Sequence, residues 1–297
     1  MINALQADMS PSTIARRAVH ALYAELMLYP KPGLVSTVDC GSHDDMDAGL
    51  FMHSLFSLRG YFKATAAAGA RRADFAILNA LGRDAERRML DATGGVNTHR
   101  GAIFCLGLLS AACGRASVST GSEPLTPARL RSTLMRQWGQ QLAVHCDDRL
   151  PDAHGTGVAL SHGHGGARAQ AARGMPAVFE LALPALRAAL HAGRDWECAR
   201  IDAFFLHLMA QLDDSNVLHR GGAAGASLVQ RCGERFIAAG GTANRNWRTE
   251  ALAAHRLLVT HRLSPGGAAD LLAAACFVHL STHDDTDVMV GLQAMPA

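Results

Sequence analysis

The sequence is poor in the residues that build sheets and rich in those that build helices. Aromatics make up only 5% of the 297 residues, while 49% are hydrophobic, with alanine and leucine abundant. Strands favour β-branched and aromatic side chains, whereas alanine and leucine lose little on entering a helix. The expectation is an all-α chain, one large multi-helix domain over residues 1–297. Lysine is almost missing: only Lys31 and Lys63 occur, so nearly all positive charge is arginine, the residue suited to gripping phosphate in fixed geometry. A formal net charge of +2 gives no reason to propose a broad basic surface, and no nucleic-acid partner is expected. There is no C-x-x-C pair. The seven cysteines (40, 105, 113, 146, 198, 232 and 276) are scattered, which argues for reduced thiols in a cytoplasmic protein. The N-terminus lacks the apolar block of a signal peptide. The longest apolar run, Gly101 to Cys113, falls short of the roughly 18–20 residues that span a bilayer, so no membrane association is expected.

Helical periodicity recurs along the chain. Trp196, Ile201, Phe204, Phe205, Leu208, Met209 and Leu212 follow three- and four-residue steps and form one stripe. Similar patterns predict helices over about 12–29, 47–68, 71–91, 99–113, 126–146, 174–192, 222–239, 246–262 and 267–280. The stretch Gly114–Pro127, rich in Ser, Thr, Gly and Pro, reads as a surface loop between helices of one character. Between the helices lie glycine-containing segments that carry polar side chains, namely Pro30–Asp45, Thr93–Asn97, Ser161–Gly166, Asp213–Gly222 and Ser264–Gly267.

Three of these regions, and one further stretch near the C-terminus, have residues that could carry chemistry. In Gly41-Ser42-His43-Asp44-Asp45-Met46-Asp47, three carboxylates crowd within four residues. Magnesium relieves such crowding, taking hard oxygens while keeping waters and substrate phosphates; helix capping by Asp44 or Asp45 is the plainer alternative. A second pentapeptide of the same form, His283–Asp287, stands near the C-terminus and reads either as another acidic cluster or as a solvated tail. In Gly94-Gly95-Val96-Asn97-Thr98-His99-Arg100-Gly101, the paired glycines suit a backbone cradle for an anion. His99 and Arg100 would then stand in a first helical turn, where cations are unfavourable unless an anion is bound. In Asp213-Asp214-Ser215-Asn216 through His219-Arg220-Gly221-Gly222, a helix would align Asp213, Asn216 and Arg220 on one face; a capped helix end with a local ion pair is the alternative. Ser161–Arg168 and Ser264–Asp270 are weaker glycine-rich helix entries, and His162 and His164 lack the third ligand that zinc needs.

Taken together, these segments resemble the triphosphoribosyl-dephospho-CoA synthase family. The matching stretches are Pro30–Val35 with His43 and Asp45-Met46-Asp47; Asn97–Phe104; Gly166-Ala167-Arg168 with Gly174-Met175-Pro176; Asn216 with His219–Gly222; and Ser264–Gly267 with Ala269–Ala273. They fall in family order over about residues 20–280. One departure is that a family-like G-A-R-G-E-A reads Gly166-Ala167-Arg168-Ala169-Gln170-Ala171, so a carboxylate is missing there. The Ser-His-Asp-Asp-Met-Asp style looks closer to the malonate decarboxylase branch than to the citrate lyase branch.

The resemblance implies transfer of the 5-triphosphoribosyl group of ATP to the 2′-hydroxyl of 3′-dephospho-CoA, with adenine released. The product would pass to an acyl-carrier-protein holo-synthase. Positive charge should grow on the ribose anomeric carbon as adenine leaves. On this view Asp44, Asp45, Asp47 and Asp213 hold Mg2+ and the triphosphate. Lys31, His99, Arg100, Arg168 and Arg220 contact phosphates, with Gly95, Asn97, Asn216, His219, Gly221 and Gly266 completing the substrate contacts. Asp214 or Asp270 is the general base, its proton affinity raised by its neighbours. A helical metal-dependent phosphohydrolase or ADP-ribosyl hydrolase, and a non-catalytic nucleotide-binding module, are the competing readings. A homo-oligomer is compatible with all three.

Overall fold

The computed structural model describes residues 8–119, 124–147 and 170–283. Among these residues there are helices and turns and no strand, as the composition leads one to expect. The principal helices are α1 (Pro11–Leu26), α2 (Ala48–Ser57), α3 (Arg59–Ala70), α4 (Phe75–Ala92), α5 (Arg100–Ser117) and α6 (Pro127–Asp147). They continue with α7 (Leu183–His191), α8 (Trp196–Asp202), α9 (Ser215–Ala238), α10 (Trp247–Thr260) and α11 (Gly266–Thr282). Two π-helical stretches, Ala177–Ala182 and Ala203–Met209, run directly into or out of α-helix.

The shaft of the molecule is α11. Twelve of its residues, including Leu272, Cys276 and Phe277, are buried, and they fall on every side of the helix. A helix that is apolar all round belongs inside a protein, and here α1, α5 and both π-helical stretches pack against it. α3 and α5 lie unusually close. A methyl added at Gly69 would stand 1.9 Å from the Ala111 carbonyl oxygen, and one at Gly114 would stand 2.0 Å from that of Ala66. No larger residue fits at either crossing point.

Several predicted boundaries shift for physical reasons. The stretch expected as one helix over 47–68 is two, α2 and α3, joined at Leu58. The helix expected from about 222 begins at Ser215, because Asp214 caps it: its carboxylate accepts from Asn216 N at 2.8 Å and Val217 N at 3.4 Å. Asp213 therefore precedes the helix, and the predicted helical face of Asp213, Asn216 and Arg220 does not form. At Gly222 the helix breaks, with φ 58° and ψ −158°, a region open essentially to glycine alone. No helix is long and apolar enough to cross a membrane among the described residues.

Candidate functional site

Two aspartates organise the site, and each one satisfies the first turn of a helix other than its own. Asp214, only 3% exposed, caps α9 and also reaches α11, where Ala268 N donates to it at 2.8 Å and Gly267 N adds a further bond. Asp270 rises from the second turn of α11 and accepts from the backbone N–H of Ala102 at the start of α5. The N-termini of α5, α9 and α11 are thereby tied together by two carboxylates. Helix N-termini carry partial positive charge, so this placement is favourable for an anion.

The tied ends form one wall of a cleft of about 480 Å³. Gly101 and Cys105 of α5, Asp213, Asp214 and Ser215, and Gly267, Asp270 and Leu271 lie on this side. The facing wall comes from Gln170, Arg173, Met175, Pro176 and the π-helical turn bearing Ala177, Glu180 and Leu181. Glu180 is held by Arg131 Nη2 at 2.6 Å, and the Arg131 guanidinium lies over the Phe179 ring. Cys105 is an inert part of the wall: burial pushes its thiol up to about 12.

The two aspartates differ in what they can do. Burial raises the proton affinity of both. Against that, Asp214 has four backbone N–H groups holding it in the ionised form and occupying its oxygens. Asp270 has one such bond, and the negative charges of Glu25 and Asp214 add to burial, so its carboxyl is held well above the usual carboxylate range. Asp214 is spent on capping, whereas Asp270 keeps most of its hydrogen-bonding capacity unused by the backbone.

The other expected site residues have other partners. Lys31 is buried with Glu25, Nζ to Oε1 2.5 Å, and does not reach the cleft. Gly95 N donates to Leu90 O at 2.7 Å, closing the end of α4, so Gly94-Gly95 is a helix terminus and not the expected anion cradle. Asn97 Oδ1 accepts from Arg100 N at 3.2 Å. The Arg100 side chain turns to Glu86 of α4, Nε to Oε2 3.3 Å, which supplies the anion that its position at a helix start called for. His99 is buried beneath α2, with Nδ1 2.6 Å from Ser54 Oγ and Nε2 without a partner. Burial and then the Lys31 charge push its pKa down to about 3, so its imidazole is neutral.

The acidic stretch 44–47 does not converge. Asp47 caps α2 through Leu50 N at 2.8 Å, Asp44 pairs with Arg262, and Asp45 lies 3.6 Å from His43. All three are exposed and none borders the cleft. The stretch is nonetheless fastened beside the α9 and α11 entries. Arg220 donates to the carbonyls of Ser42 and Arg262 at 3.1 and 3.3 Å and lies 3.2 Å from His43 Nδ1, while His43 Nε2 meets Ser264 Oγ at 2.8 Å. Among the described residues, no three His, Cys, Asp or Glu side chains are grouped to hold a metal ion.

A family model described as ATP:dephospho-CoA triphosphoribosyl transferase matches residues 11–287, which includes every element that builds the cleft. The chain belongs to that transferase family. Among curated relatives, the "probable 2-(5″-triphosphoribosyl)-3′-dephosphocoenzyme-A synthase" of Stutzerimonas stutzeri strain A1501 is 42% identical over 280 residues, 93% of each chain. Proteins of the same name from Acinetobacter calcoaceticus (35% identical, 91% of each chain) and Pseudomonas syringae pv. tomato (38%, 93% of this chain and 95% of the relative) align as fully. No solved structure matches.

Within this transferase, Asn216, His219 and Arg220 lie exposed on the first turns of α9. Gly221 packs against Leu263, and Gly266 against Asn216. Arg168 and residues 284–287 of the second acidic pentapeptide lie outside the described residues; His283 is described, its ring stacked on that of His279 with centroids 4.9 Å apart. Sequence reasoning did not single out Arg173 or Glu180, or the buried Glu25. Gln170, noted only for the carboxylate it replaces, turns out to border the cleft.

Proposed function

We propose that this cleft transfers the triphosphoribosyl group of ATP to the 2′-hydroxyl of 3′-dephospho-CoA, with Asp270 as the general base. In the step, the bond from the ribose anomeric carbon to adenine N9 breaks and a bond from that carbon to the acceptor oxygen forms. The acceptor hydroxyl proton passes to Asp270, and adenine departs with the electron pair of the broken bond and takes a proton from water, to which Asp270 later returns its own. Support comes chiefly from one observation: a half-buried carboxyl with raised proton affinity stands on the wall of a cleft large enough for part of a nucleotide. A base is most effective when its pKa lies near the working pH, and an ordinary aspartate is too acidic for that. Among the described residues, Asp213 and Asp214 also border the cleft, against Arg173 on the same walls, while Glu180 is paired with Arg131. Such an excess of negative charge stabilises the cationic anomeric carbon as adenine leaves.

The same excess repels a bare triphosphate. Magnesium usually needs only one or two protein carboxylates when phosphates and waters complete its shell. Asp213 meets that smaller requirement, although the expected protein cage of Asp44, Asp45 and Asp47 is not assembled. When bound, the ion would offset the triphosphate charge. Arg173 at the cleft, with Arg168 five residues earlier in the chain, would grip the phosphates. The setting is cytoplasmic, consistent with the reduced thiols, and the product would serve a malonate decarboxylase or citrate lyase acyl carrier through its holo-synthase.

The test is to incubate the protein with ATP and magnesium, with and without 3′-dephospho-CoA, and to measure free adenine and inorganic phosphate. Adenine appearing in step with acceptor consumption is the expected result. Phosphate release without adenine would mark a hydrolase and overturn the reading.

A further inference from the structure

The far wall of the cleft is anchored in the core through Met175, Ala177 and Val178, but its two charged residues, Arg173 and Glu180, face solvent. Something else must set where they stand. Between them the chain bends sharply: Gly174 has φ 75° and Met175 φ 51°, two left-handed residues in succession, the second of them costly for a side chain. Behind the bend lies α6, and that helix is firmly set. Leu130, Leu134, Trp138 and Leu142 are fully buried along one stripe, and Trp138 Nε1 donates to Ala73 O at 2.9 Å. The bend rests directly on it, since a Cβ on Gly174 would stand 3.0 Å from Met135 Cγ and 3.1 Å from Arg131 Nε.

Arg131, in the second turn of α6, does not border the cleft but spans the bend. Its Nη2 donates to the Arg173 carbonyl oxygen at 3.4 Å on one side and to Glu180 Oε1 at 2.6 Å on the other, while its Cζ lies 5.8 Å from the centre of the Phe179 ring. An exposed ion pair alone contributes little. A planar guanidinium with partners on both sides of a bend is different, because meeting all three at once fixes the spacing between them.

We infer that Arg131 is a positioning residue that clamps the bend 173–180 to α6 and so fixes where Arg173 meets the substrate phosphates. The inference rests on the cleft being the nucleotide site proposed above. Arg131 touches no substrate in this scheme; it acts through the backbone of Arg173 and the carboxylate of Glu180.

The test compares Arg131→Met with the wild-type enzyme, circular dichroism first establishing that the variant is folded. Backbone amides of residues 173–181 should exchange with solvent about tenfold faster in the variant, with those of α11 unchanged. In the adenine-release assay the KM for ATP should rise about tenfold, the worth of one charge-assisted contact, while kcat stays within about twofold. A residue that only stabilised the fold would reduce the amount of active enzyme and leave the KM of the rest alone. Arg136→Met, on an exposed position of the same helix, removes an equal charge and should change neither reading.

Exchange at the wild-type rate overturns the clamp. Faster exchange with the KM for ATP at its wild-type value, or with a fall in kcat instead, overturns the positioning of Arg173. So does an Arg136→Met protein that matches Arg131→Met, since lost charge would then explain both. If Arg131→Met does not fold, Arg131→Lys, which keeps the charge without the planar fork, decides by the same two readings. A wild-type enzyme that releases no adenine would sink the reading of the cleft, and the exchange rates would still decide the clamp.

Discussion

Two acidic regions invite comparison: the stretch Asp44–Asp47, dense in charge, and the cleft wall, where the fold brings Asp270 to the pair Asp213-Asp214 from 56 residues away in sequence. In the first, three carboxylates lie in solvent: Asp44 pairs with Arg262, Asp47 caps α2, and Asp45 lies beside His43, whose burial disfavours its charged form. Water screens such charges, and exposed ion pairs of this kind contribute little. In the second, burial forces Asp214 and Asp270 to bear on one another, and one of them is pushed well out of the ordinary carboxylate range. Density of charge in the sequence is a poor guide to reactivity. Removal from water is the better one.

The comparison can be broken most sharply at Asp270. Asp270→Asn should lower kcat/KM for adenine release by about a hundred- to ten-thousand-fold, the usual worth of a general base, with the helical circular dichroism unchanged. At Asp214 the loss should fall on stability instead. Asp214→Ala leaves the first N–H groups of α9 and α11 without an acceptor and should cost about 3 kcal/mol in urea unfolding.

His99 offers a pH test of burial itself. Its folded pKa of about 3 lies below the 6.5 of a free imidazole, so as pH falls below 6.5 the unfolded chain takes up a proton that the folded one refuses. Above 6.5 both states are neutral and nothing is lost. Wild-type stability should therefore fall by about 1.4 kcal/mol per pH unit from this group between those limits, and His99→Gln should remove that slope. On the exposed side the effects shrink. Asp47→Ala should cost about 1 kcal/mol through the lost cap of α2. Asp44→Asn and Asp45→Asn should leave adenine release within about twofold; abolition would return that trio to the metal and overturn the contrast drawn here.

Much of the helical layout was legible because apolar spacing survives in the sequence: α1, α5, α6, α10 and α11 begin and end within a few residues of their predicted limits. Asp214 and Asp270 were legible as candidates, but not which of them is the base, since that turns on how many backbone N–H groups from other helices reach each one. Long-range partners misled the reading of Arg100, because Glu86 on α4 supplies the anion that a ligand was expected to bring. They misled Lys31 likewise. One signal was available there: Ile14, Ala18, Ala21 and Glu25 follow four-, three- and four-residue steps, which put a carboxylate on the buried face of α1 beside one of only two lysines in the chain. On the wall bearing Arg173 and Glu180 only the stretch Gly174-Met175-Pro176 was legible, and neither charged residue was, since their placement depends on how a π-helical turn packs.

The burial of α11 on every side has a consequence for how this enzyme can diversify. A shaft in contact with so many neighbours tolerates few new side chains and little displacement, so the carboxyl it presents is fixed in place and chemistry. On the opposing bank Arg173 and Glu180 face solvent and can change without unsettling the core, whereas Met175, Ala177 and Val178 between them are buried in it. Relatives that accept a different nucleotide or acceptor, whether found or engineered, should differ there and agree along the shaft.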